Sequence, residues 1–354
     1  ATLGLDGASA LTANAKVKSI DVRDTTDAID TNLDALQRAG LRVKSITQTD
    51  PTANLEITGA QYTQDAGAIG KIISSYHLAV IRAAAAQTTQ LTANSRVVTI
   101  SVADTAANLA KKWGLLQRVT DSLTAVEVTD SDHAIALTGD QLAQSENLLG
   151  KFTVDDTHTY NLAVSGVSAG SAKDTANLDH VASVSVTDTA DNVAANFSDL
   201  LNVDDLGLLG GISLTGKNTT LTMQAARLQG DQLTATQGVL AKISHGNYGL
   251  AVTGASMDAL SDLAGNSHVV SLQVGGSSAE IGANLDTLYQ LGCKVASIQQ
   301  ADSGAAIDVT QAQLLSRGSV LAKISGGYAV NVSGVTDRKS TRLNSSHTDI
   351  SRMP

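Results

Sequence analysis

Cysteine, proline and aromatic residues are scarce in this 354-residue chain, which has one cysteine, two prolines and 3% aromatic residues. A single cysteine excludes an internal disulfide, and we expect Cys293, which follows a Leu-Gly turn, to be a small core or turn residue. Its rarity fits the cytosol and also proteins exported directly from a bacterial cytoplasm. Burial therefore depends on Ala, Val, Leu and Ile, and a hydrophobic content of 42% excludes global disorder. Small aliphatic cores suit thin, repeated layers.

Basic residues are also in deficit, and the formal net charge is -10. Phosphate backbones and anionic lipids are bound by basic patches, so we expect no nucleic-acid partner and no membrane-surface partner. No apolar run approaches the roughly 20 residues of a membrane span. The chain begins at Ala1 without Met or a leader, so we expect a fragment of a longer protein. Residues 1–10 would be the end of a truncated preceding copy or a linker.

An internal repeat organises the rest of the chain. The valines Val22, Val102, Val186 and Val274 serve as anchors at successive spacings of 80, 84 and 88 residues. They define four predicted repeats, namely residues 11–81, 91–166, 175–254 and 263–335, joined by linkers that could each hold a short helix. These four segments are the predicted repeats.

Each predicted repeat reads strand, helix, strand, strand, helix, strand. The anchor ends the first strand, and Asp-Thr follows it in the first three repeats, with Thr25, Thr105 and Thr189 as helix N-caps. Ser277 takes this place in the fourth repeat. An apolar triplet at spacing 0, 4, 7 then places three side chains on one helical stripe. Thr58-x-x-Gln61, and its counterparts at Thr138 and Thr310, have the capping-box spacing of a second helix.

This element order predicts an α/β (α+β) fold of four βαββαβ modules of about 80 residues. Two architectures remain open: a ferredoxin-like split βαβ fold, and a continuous α/β solenoid in which neighbouring copies share a core. The order of elements alone does not separate them.

The C-terminal segment differs from the repeats. Asp337–His347, and Ser351–Pro354 after a gap of three residues, resemble the translation of a common short-read sequencing adapter. We therefore treat 337–354 as an artefactual tail and predict that it lies outside the fold and is poorly ordered.

The repeat motif itself also resembles known proteins. Val-x-Asp-Thr-Ala-x-Asn, Asn-Leu-Asp-x-Leu, Ala-Lys-Ile and Tyr-x-Leu-x-Val-x-Gly together resemble the tandem modules of very large secreted or surface proteins of bacteria. Asp188–Asn192 and Asn284–Leu288 show the pattern best, and the resemblance covers Leu11 to Val335. It implies an adhesin-like extracellular or cell-surface protein, often calcium-associated and exported without a cleaved leader. It implies no ligand.

Several polar residues are candidates for chemistry, each with a simpler structural interpretation. Gly166-Val-Ser168-Ala-Gly170 matches the nucleophile-elbow pattern but also suits a small-residue linker. His180 and His268 share one repeat position, six before the anchor, where Lys16 and Arg96 also occur, so we expect a solvated strand start rather than a metal ligand. Two acidic pairs are weak Ca²⁺ candidates that otherwise read as solvated turns: Asp155, Asp156, Asp204 and Asp205.

The residues shared by the repeats are thus caps, turns and core positions. Leu33, Trp113, Phe197 and Leu285 occupy one position that varies in size but stays apolar, so we assign it to the core. The predicted function is a structural or adhesive segment of a secreted or surface protein, without catalysis and with no cofactor. Its partners would be neighbouring repeats and cell-surface or matrix components. A module that binds Ca²⁺ or a surface glycan is the alternative, and a hydrolase using Ser168 is a remote one.

Overall fold

A computed structural model of the chain describes residues 2–3, 14–50, 52–155 and 159–335, and has an α/β fold. It divides into two compact units: unit 1 comprises Ala1–Val167 with Asp174–Ser185, and unit 2 comprises Ser168–Lys173 with Val186–Pro354. The predicted tail, 337–354, lies outside the described residues. Within the described ranges, no helix is both long enough and apolar enough to cross a membrane.

Short strands and short helices alternate along the chain. The strands are β1 (Thr2–Leu3), β2 (Ile20–Asp24), β3 (Val43–Gln48), β4 (Asn54–Thr58), β5 (His77–Ala83), β6 (Val97–Asp104), β7 (Leu123–Val128), β8 (Ala134–Thr138), β9 (Asn161–Val167), β10 (Val181–Thr189), β11 (Leu209–Thr215), β12 (Thr220–Gln224), β13 (Gly249–Ser256), β14 (Val269–Gly276), β15 (Val295–Gln300), β16 (Ala306–Thr310), β17 (Ile324–Ser325) and β18 (Ala329–Ser333). The α-helices are α1 (Thr26–Thr31), α2 (Leu33–Ala39), α3 (Gly59–Gln64), α4 (Ala66–Ile69), α5 (Thr88–Thr92), α6 (Ala106–Arg118), α7 (Gly139–Ala143), α8 (Glu146–Leu149), α9 (Ala172–Ala176), α10 (Ala190–Ala195), α11 (Phe197–Asp205), α12 (Leu233–Ala241), α13 (Leu260–Gly265), α14 (Ser278–Ala283), α15 (Leu285–Leu291), α16 (Gln311–Ser316) and α17 (Gly318–Leu321). This succession follows the predicted element order, and α5, α9 and α13 are the short helices expected in the linkers.

The sheets of each unit are built from parallel pairs. In unit 1, β1, β2 and β3 form one sheet, β4, β5, β6 and β7 form a second, and β8 pairs with β9. In unit 2, β12, β13, β14, β15 and β17 form one sheet, and β16 pairs with β18. Parallel neighbours need a crossover between them, and the helices provide it.

Sheets do not coincide with the predicted repeats. Strands β2 and β3 of the first predicted repeat lie in one sheet, whereas β4 and β5 of the same repeat lie in another. Strand β5 instead pairs with β6 of the second predicted repeat, and β13 of the third pairs with β14 of the fourth. A ferredoxin-like module gathers its four strands into one sheet of its own. That alternative is therefore wrong for the repeats within either unit.

The junction between predicted repeats within unit 1 has the same register as the one within unit 2. Leu78 faces Val97 and Val80 faces Ile100 in unit 1, and each junction contains two register shifts. The second shift falls at Arg82 in unit 1 and at Gly254 in unit 2, which have φ angles of 51° and 67°. A residue with a positive φ inside a strand is typical of a β-bulge. The left-handed region favours glycine.

Helix starts agree with the predicted caps. The side chains of Thr25, Thr105, Thr189 and Ser277 accept from backbone N–H groups of the first turn. Reciprocal capping boxes are present at Thr58, Thr138, Thr310 and Ser277. The third predicted repeat lacks the capping box of the second helix. In that repeat, two 3₁₀ turns come before the second helix, α12.

The first predicted helix is broken in three of the four repeats. At each break an asparagine amide donates to the carbonyl four residues earlier: Asn32 to Ala28, Asn196 to Asn192, and Asn284 to Glu280, at 2.9 to 3.0 Å. This side-chain bond competes with the backbone ladder. Lys112 holds the same position in α6, which runs unbroken.

Apolar triplets form the core on one face of these helices. Ile29, Leu33 and Leu36 are all at most 2% exposed, as are their counterparts in the other three predicted repeats. The position with variable size is confirmed as core, because Leu33, Trp113, Phe197 and Leu285 are fully buried or 1% exposed. Aliphatic side chains therefore fill the space between helices and sheets.

The recurring Lys-Ile of Gly70-Lys71-Ile72 and Ala322-Lys323-Ile324 adds a strand position that the sequence did not predict. Ile72 forms a parallel bridge with Ile46, and Ile324 in β17 pairs with Ile298. The preceding lysine is also structural: Lys323 Nζ donates to the carbonyl oxygen of Gly292 at 2.6 Å, where α15 ends. A cation at the carboxyl end of a helix stabilises its free carbonyl groups.

Candidate functional site

In three of the predicted repeats, an aspartate after the second strand accepts a hydrogen bond from the start of the first helix. Each accepts from the first backbone N–H after the N-cap residue, 24 positions earlier in the chain. The pairs are Asp50 with Thr26 at 2.7 Å, Asp130 with Ala106 at 2.6 Å, and Asp302 with Ser278 at 2.7 Å. Hydrogen bonds from the side chain and backbone of Thr26 lower the pKa of Asp50, and those of Ser278 do the same for Asp302.

The aspartate of the Asp-Thr motif has a different role from its threonine. Asp188 accepts from Asn192 Nδ2 at 2.7 Å and, through its other oxygen, from Ala169 N at 2.9 Å. Burial raises the pKa of Asp188, but hydrogen bonds, among them those from Asn192 and Ala169, together lower it by more. The pKa of Asp188 therefore lies below its usual value. Asp104 makes the same contacts with Asn108 and Ala85. The motif therefore fastens the linker to the helix start, which we did not predict.

An acidic groove in unit 1 is a polar cavity open to solvent. Its volume is about 530 Å³, and it lies between the start of α1 and β4. It is lined by Thr26, Asp27, Asp30, Thr31, Asp50, Ala53, Asn54, Glu56 and Gln61. The lining has four carboxyl groups and no basic or aromatic residue. Such a groove attracts cations and repels anions.

Asp30 is the carboxyl group of this groove that contacts β4. It is half-buried, and its Oδ2 accepts from the backbone N–H of Glu56 at 3.2 Å. Burial raises the pKa of Asp30, against the lowering effect of the hydrogen bond from Glu56. A cation bound in the groove would stabilise the charged carboxylate of Asp30 and so oppose the effect of burial.

Of the acidic residues singled out as metal candidates, Asp155, Asp204 and Asp205 do not line this groove. Asp155 lies in an irregular segment before residues 156–158, and Asp156 lies outside the described residues. Asp204 and Asp205 end α11, where Asp204 Oδ1 lies 3.9 Å from Lys242 Nζ. In the described parts of the chain, no group of three or more His, Cys, Asp or Glu side chains is placed to hold a metal ion.

Ser168 lies between β9 and a 3₁₀ turn, Ala169–Ser171. Its Oγ donates to the hydroxyl of Ser171 at 2.9 Å. Activation of a serine nucleophile needs a base, most often histidine, within hydrogen-bond distance. The hydrogen bond recorded for Ser168 is thus with a second serine rather than with a base.

The histidines at the repeat position before the anchor contact tyrosines. His268 stacks on Tyr248 with ring centroids 4.1 Å apart, and His180 stacks on Tyr160 at 4.2 Å. In the second predicted repeat, the Arg96 guanidinium lies 4.4 Å from the centroid of the Tyr76 ring. Each pair is separated by 20 residues and joins the last strand of one predicted repeat to the first strand of the next. The position is exposed at Lys16 and Arg96, as expected, whereas His180 and His268 are half-buried packing contacts. The fixed spacing of 20 could have indicated these contacts.

Two acidic side chains meet in unit 1 outside the groove. Asp65 is only 4% exposed, and its Oδ2 has no hydrogen-bond partner in the described part of the chain. Burial, with the neighbouring Asp34 carboxyl, raises the pKa of Asp65 to about 6. In the fourth predicted repeat, the corresponding pair is Asp286 with Arg317, at 2.9 Å. A repulsive pair in one repeat thus corresponds to an attractive pair in another.

Comparison with known proteins found no matching family model, no similar curated protein and no similar solved structure.

Proposed function

We propose that the chain is a structural or adhesive segment of a large secreted or cell-surface bacterial protein, without catalysis. It consists of four copies of one α/β module, and within each unit neighbouring copies share a sheet as in an α/β solenoid. The observation that carries this proposal is the parallel pairing of β5 with β6 and of β13 with β14 in one register. A shared sheet transmits load from one copy to the next through backbone hydrogen bonds.

The use of the recurring polar residues supports the same function. Asp104 and Asp188 hold linkers, Asp50 and Asp302 close helix starts, and the threonines cap helices. These positions recur because the fold needs their hydrogen bonds, so they need no common ligand to explain them. A scaffold whose repeated side chains serve its own architecture suits a stalk or an adhesive spacer.

If neighbouring copies share a sheet, a substitution in one copy should also destabilise the next, which independent modules would not show. Leu272 lies in β14 and is fully buried, so a Leu272→Asp substitution places a charge in the core. Hydrogen exchange should then lose protection in both predicted repeats of unit 2. Leu315→Asp, at a leucine that is 79% exposed, is the matched control and should leave the exchange unchanged. Loss of protection confined to the fourth repeat, or a parent chain that proteases degrade fully, contradicts the proposal.

Location is tested separately, in the bacterium that makes the protein. Protease added to intact cells should remove the segment while cytoplasmic proteins survive. Protection of the segment until the cells are lysed would contradict a surface location.

The acidic groove supports a second candidate function, a module that binds the hydroxyl groups of a surface glycan, or a Ca²⁺ ion held by fewer than three of its carboxylates and by water. Calorimetric titration with Ca²⁺ should give heat and raise the melting temperature, because a ligand of the folded form stabilises it. Asp30→Asn should weaken this effect, and Asp204→Asn should not. The reverse order would assign the ion to the end of α11, and no heat or shift at millimolar Ca²⁺ would remove the ion as a ligand.

A further inference from the structure

The junctions between the four predicted repeats each begin with a tyrosine and a basic residue 20 positions later, directly before the two strands that meet there. At the first junction the Arg96 guanidinium lies over the Tyr76 ring, and its Nη1 donates to the tyrosine hydroxyl. The pairs at the second and third junctions are His180 with Tyr160, and His268 with Tyr248. One repeat position thus carries a permanent cation at the first junction and a titratable ring at the other two.

Each pair also lies where the backbone pairing of its junction begins. Two residues after the tyrosine, a leucine N–H donates to the carbonyl oxygen of the basic residue, at 2.7 to 2.8 Å. These bonds run from Leu78 to Arg96, from Leu162 to His180, and from Leu250 to His268. An attraction between the two side chains therefore holds together the strand ends at which the parallel pairing starts.

The geometry at His268 suits a protonated imidazole. Its ring is parallel to that of Tyr248 within 3°, and its Nδ1 lies 3.1 Å from the Tyr248 carbonyl oxygen. A carbonyl only accepts, so Nδ1 carries a hydrogen and a further proton is added at Nε2. That proton places a positive charge over the tyrosine face and makes the bond to the carbonyl charge-assisted, without breaking either contact.

The groups around the two histidines leave the imidazole as the part of each pair that changes charge near neutral pH. Burial raises the pKa of Tyr248, and burial with the charge of Asp179 raises that of Tyr160, so both tyrosines stay neutral. Asp179 is the charged neighbour of His180 along the chain. Among the described residues, neither histidine lies within ion-pair distance of a carboxylate. Imidazole itself changes charge between about pH 5 and 8.

We propose that protonation of His180 and His268 tightens the second and third junctions, so that acid holds neighbouring predicted repeats together more firmly than neutral pH does. The first junction shows the arrangement that protonation produces, because the Arg96 guanidinium is a cation over the ring of Tyr76. That junction keeps its cation at every pH, since arginine is not deprotonated in proteins. The effect depends on the fold alone and does not require a surface location.

Hydrogen exchange at the Leu250 amide, which donates to the His268 carbonyl, measures the third junction. After correction for the intrinsic pH dependence of exchange, its protection should rise about two- to fivefold from pH 8 to pH 5, the factor that a cation over an aromatic ring supplies. His268→Arg should keep the acid level of protection at both pH values, because its cation is permanent. His268→Phe, a ring without a charge, should keep the neutral level at both. Protection that does not rise in the parent, or that rises equally in both variants, overturns the proposal.

The reverse exchange at the first junction is an independent test, which decides the matter even where a His268 variant does not fold. Arg96→His should give the Leu78 amide a pH dependence that the permanent cation does not give it in the parent. Asp65 also titrates in unit 1, so the readout is the difference between variant and parent at each pH. The variant should be less protected than the parent at pH 8, and this difference should shrink at pH 5. A difference that is the same at both pH values overturns the proposal.

Discussion

Asp302 accepts two hydrogen bonds from Ser278, one from the backbone N–H and one from the hydroxyl group, each at 2.7 Å. The bonds connect the loop after β15 to the start of α14. Asp302→Ala should lower the melting temperature of unit 2, because it leaves the N–H and the hydroxyl group without their acceptor. Calorimetry measures this effect, with Asp258→Ala, at an exposed carboxylate in the same unit, as the control.

The effect of Asp302 should depend on pH. Hydrogen bonds from Ser278 lower the pKa of Asp302 below 3.8 in the folded chain, so its contribution to stability is present above pH 3.8. That contribution is lost as the pH falls through the lowered folded pKa. The difference between parent and Asp302→Ala should therefore shrink in acid, and a difference that grows below pH 3.8 would contradict the assigned role.

Asp65 should behave in the opposite way. Its pKa is raised from 3.8 to about 6, so its protonated form contributes stability below pH 3.8, and this is lost as the pH rises through about 6. Asp65→Asn keeps the shape without the charge and lets the amide donate to Asp34. It should stabilise unit 1 at pH 7 by roughly 1–3 kcal/mol, and the gain should fade below pH 4. Urea unfolding, followed through the fluorescence of the only tryptophan, Trp113, measures both values.

A matched substitution in the fourth predicted repeat should change stability in the other direction. Asp286→Asn removes an ion pair with Arg317 whose Asp286 side chain is 57% exposed, so we expect a loss of no more than about 1 kcal/mol. If Asp65→Asn destabilised unit 1 at neutral pH, the Asp34–Asp65 pair would be attractive and the assigned cause of the raised pKa would be wrong.

The local elements could be predicted from the sequence because their signals are local. Thr105 caps α6, and the triplet Leu109, Trp113 and Leu116 is buried, since both depend only on residues a few positions apart. The break at Asn284 was missed because an asparagine in a helical pattern gives no sign of bonding its own backbone. The pairing of β5 with β6 depends on long-range packing, which the order of elements does not specify.

The candidate sites divide in the same way. The recurring Asp-Thr was correctly predicted as a helix start, but the partner of Asp188 at Ala169 lies 19 residues earlier and belongs to the linker. The acidic groove was not predicted because its walls come from α1, β4, α3 and the loop between β3 and β4. Charges that meet only in the folded chain leave no spacing pattern to detect.

The bulge at the repeat junctions gives a test of backbone conformation. Gly254 has a φ of 67°, and an added Cβ would meet no atom within 4 Å, so a substitution acts through the backbone alone. Gly254→Ala should cost about 1–2 kcal/mol, since the left-handed region penalises a Cβ. Gly265→Ala, also in open space but without a positive φ, should be neutral or slightly stabilising. Equal effects of the two substitutions on the free energy of unfolding would exclude a conformational origin.

Ser145 and Trp113 form the one recorded polar contact of this tryptophan. Trp113 is fully buried, and its Nε1–H donates to Ser145 Oγ at 2.8 Å. Ser145 is itself buried, so Ser145→Ala leaves a buried donor without its partner. The loss should be about 1–3 kcal/mol, with a shift in Trp113 emission that reports the changed surroundings of the indole.

A double-mutant cycle separates this bond from simple loss of volume. The first predicted repeat has Leu33 at the position of Trp113, so Trp113→Leu removes the donor while keeping an apolar side chain. If the hydrogen bond is the cause, Ser145→Ala should cost much less in the Trp113→Leu background than in the parent. Circular dichroism must follow unfolding here, because the leucine variant has no tryptophan. An equal cost in both backgrounds would show that Ser145 stabilises unit 1 through its other contacts, at Gln141 and Gln117, and not through the indole.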